Sequence, residues 1–315
     1  MNFRATCVGF VLAGALAGSA CAGSVFSVLA SQGGPQLWSD DSGDFLFNFE
    51  GGERTVDVGD VLIGQFRIDK ISNLVSGVET ALGLGTANHE FTGAFAIEVH
   101  RKVSVFDAFG NENFTWGFKP VSMDKRDIIA GVYAGIGGEL LTWDERTMAA
   151  FYDDPSDDYT RLGGTLESTF ATAVNGTRLF EAGFLTPLTD PNSFFTGPEG
   201  WIATAGDDNI DTIGNTPLPA AGGEFQFAVN VIPGTGNSLL RFENVASTFG
   251  GFVDINGSGN LIGTGGVDTP YDSFNRLDLA VNVSVVPEPA SVVTWAGIAL
   301  TGLFLRRNRR RKAVV

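Results

Sequence analysis

Cysteine is almost missing from this chain. Two occur in 315 residues, Cys7 and Cys21, and both sit within the first 22 positions. The remainder can form no disulfide and run no thiol chemistry. Its stability must come from an apolar core, a bound metal or a partner. Histidine is nearly as scarce. His89 and His100 cannot supply a three-histidine zinc site, and His89-Glu90 lacks the second histidine of a metalloprotease helix. His100 falls on the polar side of a predicted strand and reads as a surface residue. There is no Gly-x-Ser-x-Gly elbow, no P-loop and no complete Gly-x-Gly-x-x-Gly. Internal repeats and heptads are lacking too. Nothing local nominates an active site, and the chain reads as a non-enzyme.

Basic residues are the next shortage. With Arg4 and the six cations of the C-terminal tail set aside, the body from Gly23 to Val285 holds 13 Lys and Arg against 35 Asp and Glu, a net charge near −22. Such a surface repels nucleic acid and anionic lipid. It suits a soluble surface protein, with or without divalent cations. Apolar runs long enough to cross a bilayer with ease are also missing. Two shorter ones lie at the ends.

The first is Val8 to Ala17, behind Arg4. A basic start, an apolar run of this length and the small-residue pattern Ala20-Cys21-Ala22 predict a signal peptide over residues 1–22. Signal peptidase would leave Gly23 as the first mature residue. Gly14, Gly18 and Ser19 shorten the apolar stretch too far for a retained anchor. Gly18 also stands where a lipoprotein site at Cys21 would want leucine.

The second run belongs to a three-part tail, residues 286–315. Val286-Pro287-Glu288-Pro289 comes first, an uncharged stretch from Ala290 to Leu305 is next, and Arg306-Arg307-Asn308-Arg309-Arg310-Arg311-Lys312 closes it. Sixteen residues of helix span about 24 Å, short of a hydrocarbon core of roughly 30 Å. Bilayer thinning and snorkelling by Arg306 and Arg307 cover the deficit. The basic block, residues 306–315, stays cytoplasmic, so the body lies on the opposite side. Pro287 and Pro289 forbid helix upstream and hold Val286 and Glu288 extended. A plain single-pass anchor behind a proline linker would share this physics.

The tag, the short apolar helix and the terminal arginines together resemble the sorting tail of PEP-CTERM proteins of Gram-negative bacteria. The resemblance covers about a tenth of the chain. It implies that a membrane-embedded exosortase recognises Val286, Pro287, Glu288 and Pro289 and cuts near them. The protein would then pass from an inner-membrane precursor with a periplasmic body to the cell surface or the extracellular matrix. It implies little about what the body does.

The body, residues 23–285, is dominated by strand signals. Phe45, Phe47 and Phe49 alternate, and Val61 to Ile68 comes after a Gly59-Asp60 turn. Phe95, Ile97, Val99, Val103 and Val105 share one parity, as do Phe225, Phe227, Val229 and Val231. Leu277, Leu279, Val281, Val283 and Val285 repeat the pattern against Arg276, Asp278, Asn282 and Ser284. Period-two alternation with polar partners marks antiparallel sheets with one wet face. Asn175-Gly176 and Asn256-Gly257 read as hairpin turns, and Gly33-Gly34-Pro35, Pro233-Gly234 and Asp190-Pro191 as loop breakers. Thr165 to Val174 fits a short helix or a strand. Glu145 to Tyr152 is as ambiguous, with Pro155 favouring strand. The expected fold is an all-β antiparallel sandwich of jelly-roll type.

Three acidic stretches could hold calcium. Asp254, Asn256, Ser258 and Asn260 place oxygens at loop positions 1, 3, 5 and 7 with glycine at 6, as an EF-hand loop does. Position 12 is Gly265 and not the bidentate glutamate, so a glycine-rich hairpin fits the same residues. Asp153-Asp154-Pro155-Ser156-Asp157-Asp158 and Asp207-Asp208-Asn209-Ile210-Asp211 are denser, and such runs are commonly solvated loops. Trp38, Trp116, Trp143 and Trp201 could stack on sugar rings or fill a core. The expectation is an exported, non-enzymatic surface or matrix protein, with extracellular polysaccharide as a partner. A lectin-like carbohydrate-binding module is the alternative. A secreted glycan hydrolase stands behind both, since its two carboxylates would be paired only in space.

Overall fold

The computed structural model describes residues 24–49, 54–82, 90–156, 158–159, 164–212, 223–236, 238–263 and 271–286. Its strands are β1 (Pro35–Phe47), β2 (Val61–Asn73), β3 (Glu79–Ala81), β4 (Glu90–Phe106), β5 (Glu112–Pro120), β6 (Thr147–Asp154), β7 (Thr177–Gly183), β8 (Phe195–Thr196), β9 (Glu199–Ala205), β10 (Gly223–Val231), β11 (Leu240–Glu243), β12 (Val245–Ala246), β13 (Phe252–Val253), β14 (Ile255–Gly263) and β15 (Ser273–Val285). Its helices are α1 (Val25–Gln32), α2 (Met123–Val132), α3 (Ala134–Leu140) and α4 (Leu166–Val174). No helix among the described residues is long and apolar enough to cross a membrane. The expected signal helix, and the tail helix at 290–305, lie outside the described residues.

The fold is all-β and antiparallel, as the alternation predicts. Thirteen strands share one sheet, and β12 with β13 forms a separate ribbon. The strand pairings close into a ring. From β1 the ladder runs through β2 to β4, and from β10 through β14 and β15 back to β1. Between β4 and β10 the wall divides. Phe95 and earlier residues of β4 pair with β6, which leads through β7 to the C-terminal end of β10. Residues of β4 from Ile97 onward pair with β5, which leads through β9 to the rest of β10. Closure satisfies the backbone groups that an open edge would expose.

Inward side chains fill the ring, as small barrels require. Phe66, Phe95, Phe151, Trp201, Phe227 and Leu279 meet there with others, leaving a cavity of only about 50 Å³. Trp201 stacks on Phe227 with centroids 4.4 Å apart. A reciprocal pairing of phenylalanine with glycine makes this density possible. Across β2 and β4, Gly64 faces Phe95 and Phe66 faces Gly93. Across β10 and β14, Phe225 faces Gly259 and Phe227 faces Gly257. A Cβ at Gly64 would lie 2.3 Å from the Phe95 ring, and one at Gly93 would lie 2.2 Å from Phe66. Each ring therefore lies flat over the neighbouring backbone. These pairs use four of the chain's 42 Gly and four of its 26 Phe.

A second core lies outside the ring, where Val61, Ile63, Ala94 and Ala96 meet Ile129 and Ile136 of α2 and α3 and Phe170 of α4. Arg126 fastens this layer. It is 1 % exposed, and its guanidinium donates to the carbonyls of Val121, Leu140, Trp143, Asp144 and Thr147. α4 is capped by Thr165, whose hydroxyl accepts from the Ser168 N–H at 3.3 Å. That cap resolves the ambiguous segment as helix. The other ambiguous segment, Glu145 to Tyr152, is strand from Thr147 onward and forms most of β6.

Two hairpin expectations are corrected. Asn175-Gly176 links α4 to β7, and Asn256-Gly257 lies inside β14. Glycine there makes room for Phe227 and does not turn the chain. The Gly33-Gly34 pair does act as a breaker: both glycines have positive φ, 50° and 72°, between α1 and β1.

Candidate functional site

The outer face of the β2–β1–β15–β14–β10 wall carries an open polar groove of about 690 Å³. Ladder register sets Lys70, Ser39, Asp278, Ser258 and Gln226 side by side across five strands. A neighbouring row brings Arg276, Asn260 and Glu224 together. Ser39 donates to Asp278 at 2.6 Å. Charges of both signs, amides and hydroxyls make a hydrogen-bonding surface.

The body's tryptophans do not join it. Trp38, Trp116, Trp143 and Trp201 are 0, 1, 4 and 6 % exposed. Trp38 donates to Gln36, Trp116 to the Val56 carbonyl and Trp143 to Glu139. They are core residues and offer no face for sugar stacking. His100 is not a free surface residue either. Its ring sits half-buried against Gly117, with Nε2 donating to the Ser193 carbonyl at 2.6 Å. Burial draws its pKa below the ordinary value. His89 lies outside the described residues.

Asp254, Asn256, Ser258 and Asn260 do not curl around a point as an EF-hand loop does. Three of them lie in β14, and Asp254 directly precedes it. Alternate residues of a strand sit about 6.6 Å apart, so these oxygens form a line along one face. Asp254 accepts from the Val231 N–H at 2.9 Å, and Asn256 accepts from Thr248. Only Ser258 and Asn260 reach the groove.

The Asp207–Asp211 run is engaged within the protein. Lys102 bridges Asp208 and Asp57 at 2.8 Å each, and Arg54 pairs with Asp211 and Asp272. Asp207 accepts from Thr212 and from the Asn209 N–H.

The Asp153–Asp158 stretch is different, because the fold adds Glu90 to it. Glu90 opens β4 and Asp154 closes β6, and the two are direct cross-strand partners. Asp158 lies in the connection toward α4. One carboxylate oxygen from each of the three lies within 4.8 Å of the others. Burial pushes the Asp154 carboxyl up, and the charges of Asp158 and Asp153 add to it. Sequence reasoning read Glu90 only as the neighbour of His89. No local signal links it to Asp154, since β4 and β6 meet only through register.

No protein family, curated protein or solved structure matches the chain. Its function must be read from its own residues.

One more buried carboxyl stands out, inside the ring. Asp44 is 2 % exposed and lines the central cavity with Asn275. Burial raises its pKa from the usual 3.8 to about 7, against hydrogen bonds from Asn275 and Ser273 and with help from the Asp272 charge. Apart from Asp44 and Asn275 the residues lining the cavity are apolar. Of the sorting motif, only Val286 is described. Pro287, Glu288 and Pro289 lie outside the described residues, as do the signal-cleavage residues Ala20, Ala22 and Gly23.

Proposed function

We propose that this chain is an exported, non-enzymatic protein of the cell surface or extracellular matrix, delivered and processed through its C-terminal tail. The observation that carries this reading is the three-part tail in the sequence, which follows directly on the last described strand. β15 is paired on one side with β1 and on the other with β14, then β11. Val286, the first residue of the tag, still donates its N–H to the Leu239 carbonyl at 2.7 Å. Described strand pairing thus runs up to the first residue of the tag without an intervening linker. A filled interior and a shallow polar groove suit a binding or structural role. The groove's amides, hydroxyls and charges match the hydrogen-bonding needs of extracellular polysaccharide.

The test replaces Pro287, Glu288 and Pro289 with alanine in the natural host. Mass spectrometry of the mature chain's C-terminus is expected to show a trimmed wild type and an untrimmed variant, with the same body fold in both. A variant trimmed at the normal rate sinks the sorting role.

A further inference from the structure

We propose that Glu90, Asp154 and Asp158 hold a calcium ion that fastens the connection after β6 to the start of β4. This goes beyond the sorting reading and does not depend on it. The three residues come from separate elements, yet their carboxylate oxygens lie no more than 4.8 Å apart. That is the largest oxygen–oxygen separation one cation with bonds of about 2.4 Å can bridge.

Burial makes the arrangement costly without a cation. Glu90 is fully buried and Asp154 is 1 % exposed. Like charges directly opposite across two strands repel, and sealed carboxylates need compensation. Part of it comes from the protein. Arg67 donates to Glu90 at 3.1 Å, but it is shared with Asp69 at 2.7 Å. The Tyr159 N–H donates to Glu90 at 2.8 Å, the Ser156 N–H to Asp154 Oδ1 at 2.8 Å, and Asn175 to Asp158 at 3.2 Å.

One atom remains. Asp154 Oδ2 is sealed from solvent and has no hydrogen-bond partner among the described residues. A buried acceptor with no donor, beside two further carboxylates, is the signature of a cation ligand. The donor set is oxygen alone, which disfavours zinc and copper. Magnesium prefers a tight octahedron at about 2.0–2.1 Å with retained waters. The wider and irregular calcium sphere fits better.

The experiment uses the purified full chain, stripped with a chelator and titrated with calcium chloride. Heat of binding should report a Kd of about 0.1–1 mM, the range of extracellular calcium modules. At 10 mM calcium the Tm should rise by about 5 °C at the tighter end of that range. Magnesium at the same concentration should give less than half of that rise. Asp154→Asn and Asp158→Asn should each abolish the shift. Asp158 is exposed, so its variant should fold even if the buried one does not. Terbium supplies a second readout, since bound terbium should luminesce on excitation of nearby Tyr159 and lose that signal in Asp158→Asn. The proposal is overturned if the wild type gives neither heat nor a Tm shift. It is overturned equally if Asp158→Asn responds like the wild type, or if magnesium matches calcium.

Discussion

Asp44 lets one claim about the barrel interior be tested in numbers. Its side chain points inward from β1, and Asn275 Nδ2 donates to it at 2.6 Å. Burial is the main cause of the rise in its pKa from 3.8 to about 7. Over that window the folded chain keeps a proton that the unfolded chain has lost. The folded state therefore binds more protons, and raising the pH destabilises it. Stability present at acid pH is lost as pH climbs from about 4 to about 7, and the loss levels off above. At about 1.36 kcal/mol per unit the total is roughly 4 kcal/mol. About 3 kcal/mol of this falls between about pH 5 and pH 8. Asp44→Asn keeps the shape and removes the titration. With an m-value of about 3 kcal/mol per M, the urea midpoint of the variant relative to wild type should move up by about 1 M between these pH values. Other titrating carboxyls are common to both proteins and cancel in the difference. A gap of the same size at both pH values would refute the reasoning, because Asp44 would then not hold its proton in the folded state.

The remaining predictions concern packing. Arg126→Met should cost about 3–5 kcal/mol in urea denaturation, since five carbonyls, four of them in buried contacts, lose their donor. Arg126→Lys should recover less than half of it, because an ammonium cannot span the guanidinium's fork. Two glycine substitutions should act with opposite signs. Gly183→Ala places a Cβ 1.9 Å from the Arg146 carbonyl, a backbone clash expected to cost upward of about 2 kcal/mol. Gly138→Ala, on the open side of α3 with nothing within 4 Å, should stabilise by about 0.5–1 kcal/mol. Thermal unfolding of the two variants decides it.

Much of the fold was legible where alternation was clean. β15 buries Leu277, Leu279, Val281 and Val283 and turns Arg276 and Asp278 outward, as its sequence reads. α2 and α3 escaped notice although Arg126, Ile129, Tyr133, Ile136 and Leu140 keep to a helical period. Gly131, Gly135, Gly137 and Gly138 interrupt that stretch and lower its apparent propensity. Asn256-Gly257 misled for a related reason. A glycine beside asparagine signals a turn, but this one exists to make room for a phenylalanine on the next strand. The division of the wall between β6–β7 and β5–β9 has no local cause at all. The carboxylate cluster could be half read, because Asp154 and Asp158 are neighbours in sequence while Glu90 joins them only through strand register.

β1 begins opposite the end of β15, with Pro35 facing Asn282. The start of β1 and the end of β15 thus share one pole, and the strand leading to the tail is hydrogen-bonded along both flanks. A molecule tethered by that tail and dragged by flow would be loaded along β15. Its ladders to β1 and β14 would then have to slide as a block, since force along a strand strains all its bonds together and does not peel them one by one. In a molecule so tethered, the last described strand would act as a mechanical clamp where the load enters.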